Sequence, residues 1–141
     1  MGAIILGPLR PSTSLCQYVD TRVPAGFPSP AADYEDAALS IDELIDLRAP
    51  HVYLVRVEGH SMIGAGVYDG DVLVVNRAIE ARSGDIIVAY VDGGMTVKRL
   101  HVTEDAVWLR AENAEYRPIQ VTESLHVWAV ATHNLHTLCS R

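Results

Sequence analysis

From residue 51 onward the chain is a succession of short β-branched and apolar runs separated by turn residues. That succession restricts the fold more than any other feature. The runs fall at residues 51–57, 71–76, 85–91, 95–102, 106–110, 118–121 and 126–132. Each has strand length and is bounded by Gly, Pro, Asp, Asn or Ser, which favour turns. Val72-Leu73-Val74-Val75 is a continuous apolar run, as expected of a strand covered on both faces. Asp92-Gly93-Gly94, between the third and fourth runs, is a hairpin signal. Strands this short and this closely spaced predict a mainly β chain with a compact, partly closed antiparallel fold.

The chain before this region reads differently. Pro8, Pro11, Pro24, Pro28 and Pro30 are five of its seven prolines. Proline removes backbone donors and disfavours helix, so residues 1–35 are expected to form an extended N-terminal arm, and residues 36–141 the β domain. The arm is too short for a helix-turn-helix unit. Ala37, Ala38, Ile41, Leu44, Ile45 and Leu47 recur at helical spacing, and Ser40-Ile41-Asp42-Glu43 fits a capping box. The fold is therefore expected to hold at most one short helix, starting at Ser40 and stopped by Pro50. The apolar start, residues 2–7, is too short to cross a bilayer, lacks preceding basic residues and is interrupted by Pro8. Neither a signal peptide nor a membrane segment is expected.

Apolar residues make up 49% of the chain and charged residues 21%, so a packed core is expected rather than disorder. The net charge of −7 argues against a surface built to neutralise phosphates, and no direct specific DNA binding is expected. Lys98 is the sole lysine; the other ten basic residues are arginines. An amine, rather than a positive charge alone, is then wanted at that position. Cys16 and Cys139 lie far apart without CxxC spacing. This pattern predicts neither a disulfide framework nor a zinc site, and suits a reducing cytosol.

Three places carry potential chemistry. In Gly59-His60-Ser61-Met62 a glycine precedes a serine directly after a predicted strand, a way to present a hydroxyl beside backbone N–H donors. The same pattern also describes an ordinary turn. On the strand at 95–102, alternation places Lys98 on one face with Thr96, Leu100 and Val102. Desolvation there lowers the pKa of an amine, and a neutral amine can accept a serine proton. Alternatively, Lys98 snorkels to water. Val23-Pro24-Ala25-Gly26-Phe27 is an extended segment with a small residue before glycine, easily threaded into a narrow cleft; by itself it also reads as a plain linker. His60 is poorly placed to act as base for its neighbour Ser61. His133 and His136 could share a metal but lack a third ligand. Asp69-Gly70-Asp71 falls short of a calcium pattern and is read as a turn. Asn113, Glu115 and Tyr116 have no assigned role.

These pieces together resemble a known family. Residues 27–34 (Phe-Pro-Ser-Pro-Ala-Ala-Asp-Tyr), Gly59-x-Ser61-Met62, Asp69-Gly70-Asp71, Gly84-Asp85-Ile86 and Thr96-Val97-Lys98 follow the order and spacing of the UmuD-type members of the LexA/UmuD self-cleaving serine–lysine peptidases. The resemblance runs from about Pro24 to the C-terminus. It implies a LexA/signal-peptidase-like β fold, with Ser61 as nucleophile, Lys98 as general base and Ala25–Gly26 as the scissile bond. Gly59 and Met62 would support the turn and oxyanion site, without metal or cofactor. It further implies a homodimer in the cytoplasm, cleavage stimulated by a RecA–single-stranded-DNA filament, and an SOS setting. There the processed form would serve a UmuC-like Y-family translesion polymerase. His60 departs from the pattern, which has Asp there. A non-catalytic dimeric interaction module acting through its arm is the alternative. A LexA-type repressor fragment is disfavoured by the absence of a DNA-binding domain, and a signal peptidase by the absence of an anchor.

Overall fold

The computed structural model describes residues 2–8, 16–19, 25–27, 36–45 and 51–141. The chain forms two compact units, residues 1–9 with 48–141, and residues 10–47.

The larger unit is one eight-stranded sheet. Its strands are β1 (Gly2–Pro8), β4 (Val52–Glu58), β5 (Val72–Asn76), β6 (Ile86–Val91), β7 (Gly94–Val102), β8 (Val107–Arg110), β9 (Ile119–Gln120) and β10 (His126–Leu135). They lie side by side in the order β1-β4-β5-β10-β6-β7-β8-β9, and every neighbouring pair is antiparallel. The seven strands expected from the sequence are all present. β10 runs past the expected end because residues 133–135 pair with Val72–Val74 of β5. The β6–β7 hairpin turns at Asp92 (φ 49°) and Gly93 (φ 78°), and the two positive φ values suit the twist of the flanking strands.

β10 shifts register between Val127 and Ala129 and again between Ala131 and His133. Such irregularities increase local twist, and the sheet curls into a half-barrel that brings β1 near β7. Apolar side chains fill both faces of its middle strands. Val55, Val57, Leu73, Val88 and Val97 belong to one buried cluster. Ile87, Ala89, Leu100, Leu109 and Val130 form another. Val88 and its neighbours Ile87 and Ala89 thus pack in different clusters, as strand alternation requires. Tyr53 and Trp128 meet edge to face with centroids 5.2 Å apart beside the first cluster.

In the smaller unit β2 (Cys16–Val19) pairs antiparallel with β3 (Asp36–Leu39), followed by the one-turn helix α1 (Ile41–Ile45). Ser40 Oγ accepts the Glu43 N–H at 3.2 Å, the cap read from the sequence. The Pro50 stop lies outside the described residues. The two units divide the chain differently from a boundary at residue 35. Gly2–Pro8 finds its partner in β4, and Asp36–Leu39 finds its partner in β2. Among the described residues no helix is long and apolar enough to cross a membrane.

Candidate active site

β4 ends at Glu58, and the chain turns at once. Gly59 has φ 94°, a left-handed conformation that a side chain would strain. Its N–H donates to Asp69 Oδ1 at 2.8 Å, so its part is to shape the turn. Ser61 and Met62 follow, both fully buried, and then a short 3-10 turn, Ile63–Ala65. Met62 plugs the turn into the core; burial of such a side chain contributes about 1.5–3 kcal/mol. Its carbonyl accepts the N–H groups of Ala65 (3.0 Å) and Val67 (3.2 Å).

A second loop braces this turn from outside. Asn113 Nδ2 donates to the His60 carbonyl at 2.9 Å, one residue before Ser61. Gly64 N–H donates to the Glu112 carbonyl at 2.7 Å. The approach is so close that a Cβ at position 64 would lie 2.6 Å from that oxygen. The Glu112 carboxylate pairs with Arg99, whose Nη1 donates to the Gly84 carbonyl at 2.6 Å.

Lys98 comes from β7 and is 5% exposed. Its Nζ lies 3.2 Å from Ser61 Oγ, 3.0 Å from Thr96 Oγ1 and 3.2 Å from the Val97 carbonyl. Among the described residues no carboxylate pairs with it. Burial therefore acts unopposed and pushes the ammonium below the ordinary lysine value. Three partners also suit a neutral amine, which has two N–H donors and one lone pair. The amine can donate to Thr96 and Val97 while its lone pair accepts the Ser61 hydroxyl proton. In that form the pair is a hydroxyl with a base attached, able to attack an acyl carbon.

On the far side of the same loop, Asp71 is 3% exposed and accepts three hydrogen bonds. They come from the Tyr68 N–H (2.8 Å), Asn134 Nδ2 (2.8 Å) and His136 Nδ1 (2.6 Å). Burial alone would raise this carboxyl, but the bonds from Asn134, His136 and Tyr68 outweigh it and hold it below the ordinary aspartate value. Asn134 Nδ2 also donates to the Gly66 carbonyl at 3.0 Å, and the His136 ring lies against Tyr68. The end of β10 is thereby clasped to the loop that carries Ser61.

The residues singled out in the sequence thus fall into groups. Ser61 and Lys98 come together across 37 positions of chain, and Gly59 and Met62 shape the turn. Ala25 and Gly26 belong to the smaller unit and lie in an exposed bend with Phe27, which is 94% exposed. His60 is exposed, and among the described residues nothing bonds its ring to Ser61. His133 and His136 turn to different neighbours, Thr132 and Asp71. Among the described residues no cluster is placed to hold a metal. Asp69 and Asp71 exceed the turn reading of the sequence, and Asn113, which had no assigned role, braces the Ser61 turn. The repeated acid in Asp69-Gly70-Asp71 was the available signal for two of them; Asn113 carried none beyond its presence.

Comparison with known proteins agrees with this geometry. Residues 17–132 match the Peptidase S24-like family. Protein MucA of Salmonella typhimurium is 38% identical over 125 residues, covering 85% of each chain. Protein SamA of the same species is 37% identical over 127 residues, 90% of this chain and 89% of SamA. The LexA repressor of Bordetella avium is 39% identical over 122 residues, 82% of this chain but 57% of the repressor. With the family matched across most of the chain and these relatives over most of their length, the protein belongs to the S24-like peptidases and, within them, to the UmuD-type proteins of SOS mutagenesis.

Proposed function

We propose that this chain is a serine peptidase that cuts its own Ala25–Gly26 bond with Ser61 as nucleophile and Lys98 as general base. The observation that carries the reading is the buried Lys98 Nζ, 3.2 Å from Ser61 Oγ and, among the described residues, without a counter-ion. Neutral Lys98 takes the hydroxyl proton as Ser61 Oγ bonds to the Ala25 carbonyl carbon. The C–N bond then breaks, the Gly26 nitrogen leaves with a proton from Lys98, and water hydrolyses the acyl-enzyme. A small Ala25 fits a narrow cleft, and an exposed bend leaves the bond accessible. Membership of the family and the likeness to MucA and SamA support a place in SOS mutagenesis. The processed form, residues 26–141, then acts as a cytoplasmic homodimer with a UmuC-like Y-family polymerase. A RecA–single-stranded-DNA filament stimulates the cut.

The test is intact mass before and after incubation at alkaline pH, with and without an activated RecA filament. The parent is expected to yield a new N-terminus at Gly26, and Ser61→Ala and Lys98→Ala to remain whole. A Ser61→Ala chain cut at the parental rate would overturn the mechanism, and a parent that stays whole under both conditions would favour a non-catalytic interaction module.

A further inference from the structure

Residues 2–8 precede the Ala25–Gly26 bond, yet as β1 they form an edge of the sheet that follows it. The β1–β4 ladder pairs Gly2 with Glu58, Ala3 with Val57, Ile4 with Arg56 and Ile5 with Val55. After a register shift at Leu6 it continues with Gly7 opposite Leu54 and Pro8 opposite Tyr53. Ala3 packs against the core cluster that contains Val57. Ile4, Ile5 and Leu6 are 47%, 38% and 46% exposed. The other edge of β4 is taken by β5, so β1 alone covers this one.

A cut at residue 25 breaks the covalent tie of β1 but none of these hydrogen bonds. While tethered, β1 competes for its seat at the effective concentration its linker provides; once cut, it is held by the ladder alone. A vacated β4 would present a row of unpaired N–H and C=O groups, the template on which another strand adds. Its core-facing positions are already filled by Val55 and Val57 of β4 itself. An incoming strand need supply only backbone and a small side chain where Ala3 now sits.

We propose that the β4 edge is a strand-docking site, filled by β1 in the uncut chain. After cleavage it accepts an extended segment of another polypeptide with the β1 pattern. That segment has a small residue toward the core, exposed aliphatic residues after it and no proline before the position opposite Tyr53. Gly2 faces Glu58, next to Gly59, so the docked strand ends beside the Ser61 turn. The proposal rests on the Ala25–Gly26 cut, and its test separates the two.

A fluorescent peptide of residues 1–9 is titrated, by anisotropy, against three proteins. They are uncut Ser61→Ala, the parent after self-cleavage in dilute solution, and a Ser61→Ala chain that also carries Ile4→Pro and Ile5→Pro. Successive N–H groups point to opposite sides of a strand, so two adjacent prolines must remove one ladder donor and unseat β1 without any cut. The peptide is expected to bind the self-cleaved protein and the double-proline chain at least about tenfold tighter than uncut Ser61→Ala. A peptide carrying the same two prolines is expected to bind none of them. Equal binding to all three proteins, binding to none, or equal binding by the proline peptide would overturn the docking site. If the parent stays whole by mass, the cleavage reading falls, while the double-proline chain still decides whether the β4 edge takes a strand.

Discussion

Strand β7 holds Lys98 through its own pleat, whereas the turn carrying Ser61 is held by side chains from three other parts of the chain. The lysine needs only a buried strand: Val97 and Leu100 on either side are buried, and two of its three polar neighbours are one and two residues away. The serine depends on Asp69 through Gly59, on Asn113 through His60, and on Asp71 with Asn134 and His136 through the following loop. A base can thus be positioned by local periodicity, while a nucleophile on a turn needs long-range polar bracing. A turn satisfies few of its own backbone groups, and each one left buried and unbonded costs about 1–3 kcal/mol.

The largest expected effect removes the two partners themselves. Lys98→Ala and Ser61→Ala should each lower self-cleavage at least about a thousandfold, because paired catalytic groups act as a unit. Gel densitometry over hours at alkaline pH checks this. Asp71→Ala should come next. It leaves the Tyr68 N–H without its acceptor and the Asn134 amide with the Gly66 carbonyl alone, and should cost about 2 kcal/mol in chemical denaturation, with cleavage falling alongside. In the parent the same carboxylate makes stability acid-sensitive. Its folded value is depressed, so its contribution is present above the unfolded value of about 3.9 and is lost as pH falls through the folded one. Asn113→Ala is expected to be milder, with a cleavage rate down about tenfold, stability down about 1 kcal/mol, and an unchanged pH midpoint, since it shapes the serine turn and leaves the amine alone. An altered midpoint would mean that the two halves of the site are not independently held.

The smallest effect concerns Lys98 and stability. The fold prefers it neutral, so between the lowered folded value and the unfolded value of about 10.4 the unfolded chain binds more protons. Stability from this group therefore rises with pH through that window, and below it the buried amine is a net cost. Lys98→Met should be inactive yet at least as stable as the parent at neutral pH. The cleavage rate of the parent should climb as the amine loses its proton. A flat rate from pH 7 to 10, or a Met variant markedly less stable, would show Lys98 to be a paired cation.

The same contrast governs what the sequence discloses. Lys98 was legible because alternation along one strand places it beside Leu100 and Thr96. The strands from β4 to β10 were legible for the same local reason. The braces were not, since Asn113 lies 53 positions from the carbonyl it holds and nothing in its surroundings names that partner. β1 was hidden differently. Its glycines and Pro8 read as an extended arm, and only a mate 50 residues away makes that extension a sheet strand. Asp71 looked like a turn residue, and it is one; its further bonds to Asn134 and His136 reach across more than 60 positions.

The place of β10 in the sheet has a consequence for timing. The β4–β5 pair, which leads into and out of the Ser61 turn, and the β6–β9 strands, which carry Lys98, share no ladder except through β10. On a ribosome, chain emerges at roughly 5–20 residues per second, and segments fold in order of appearance where they can. Until residues 126–135 have emerged, the hydroxyl and the amine lie on sets of strands that no ladder joins. The pairing of Ser61 with Lys98 on which the proposed cleavage rests thus spans two sets of strands joined by a strand made after both residues.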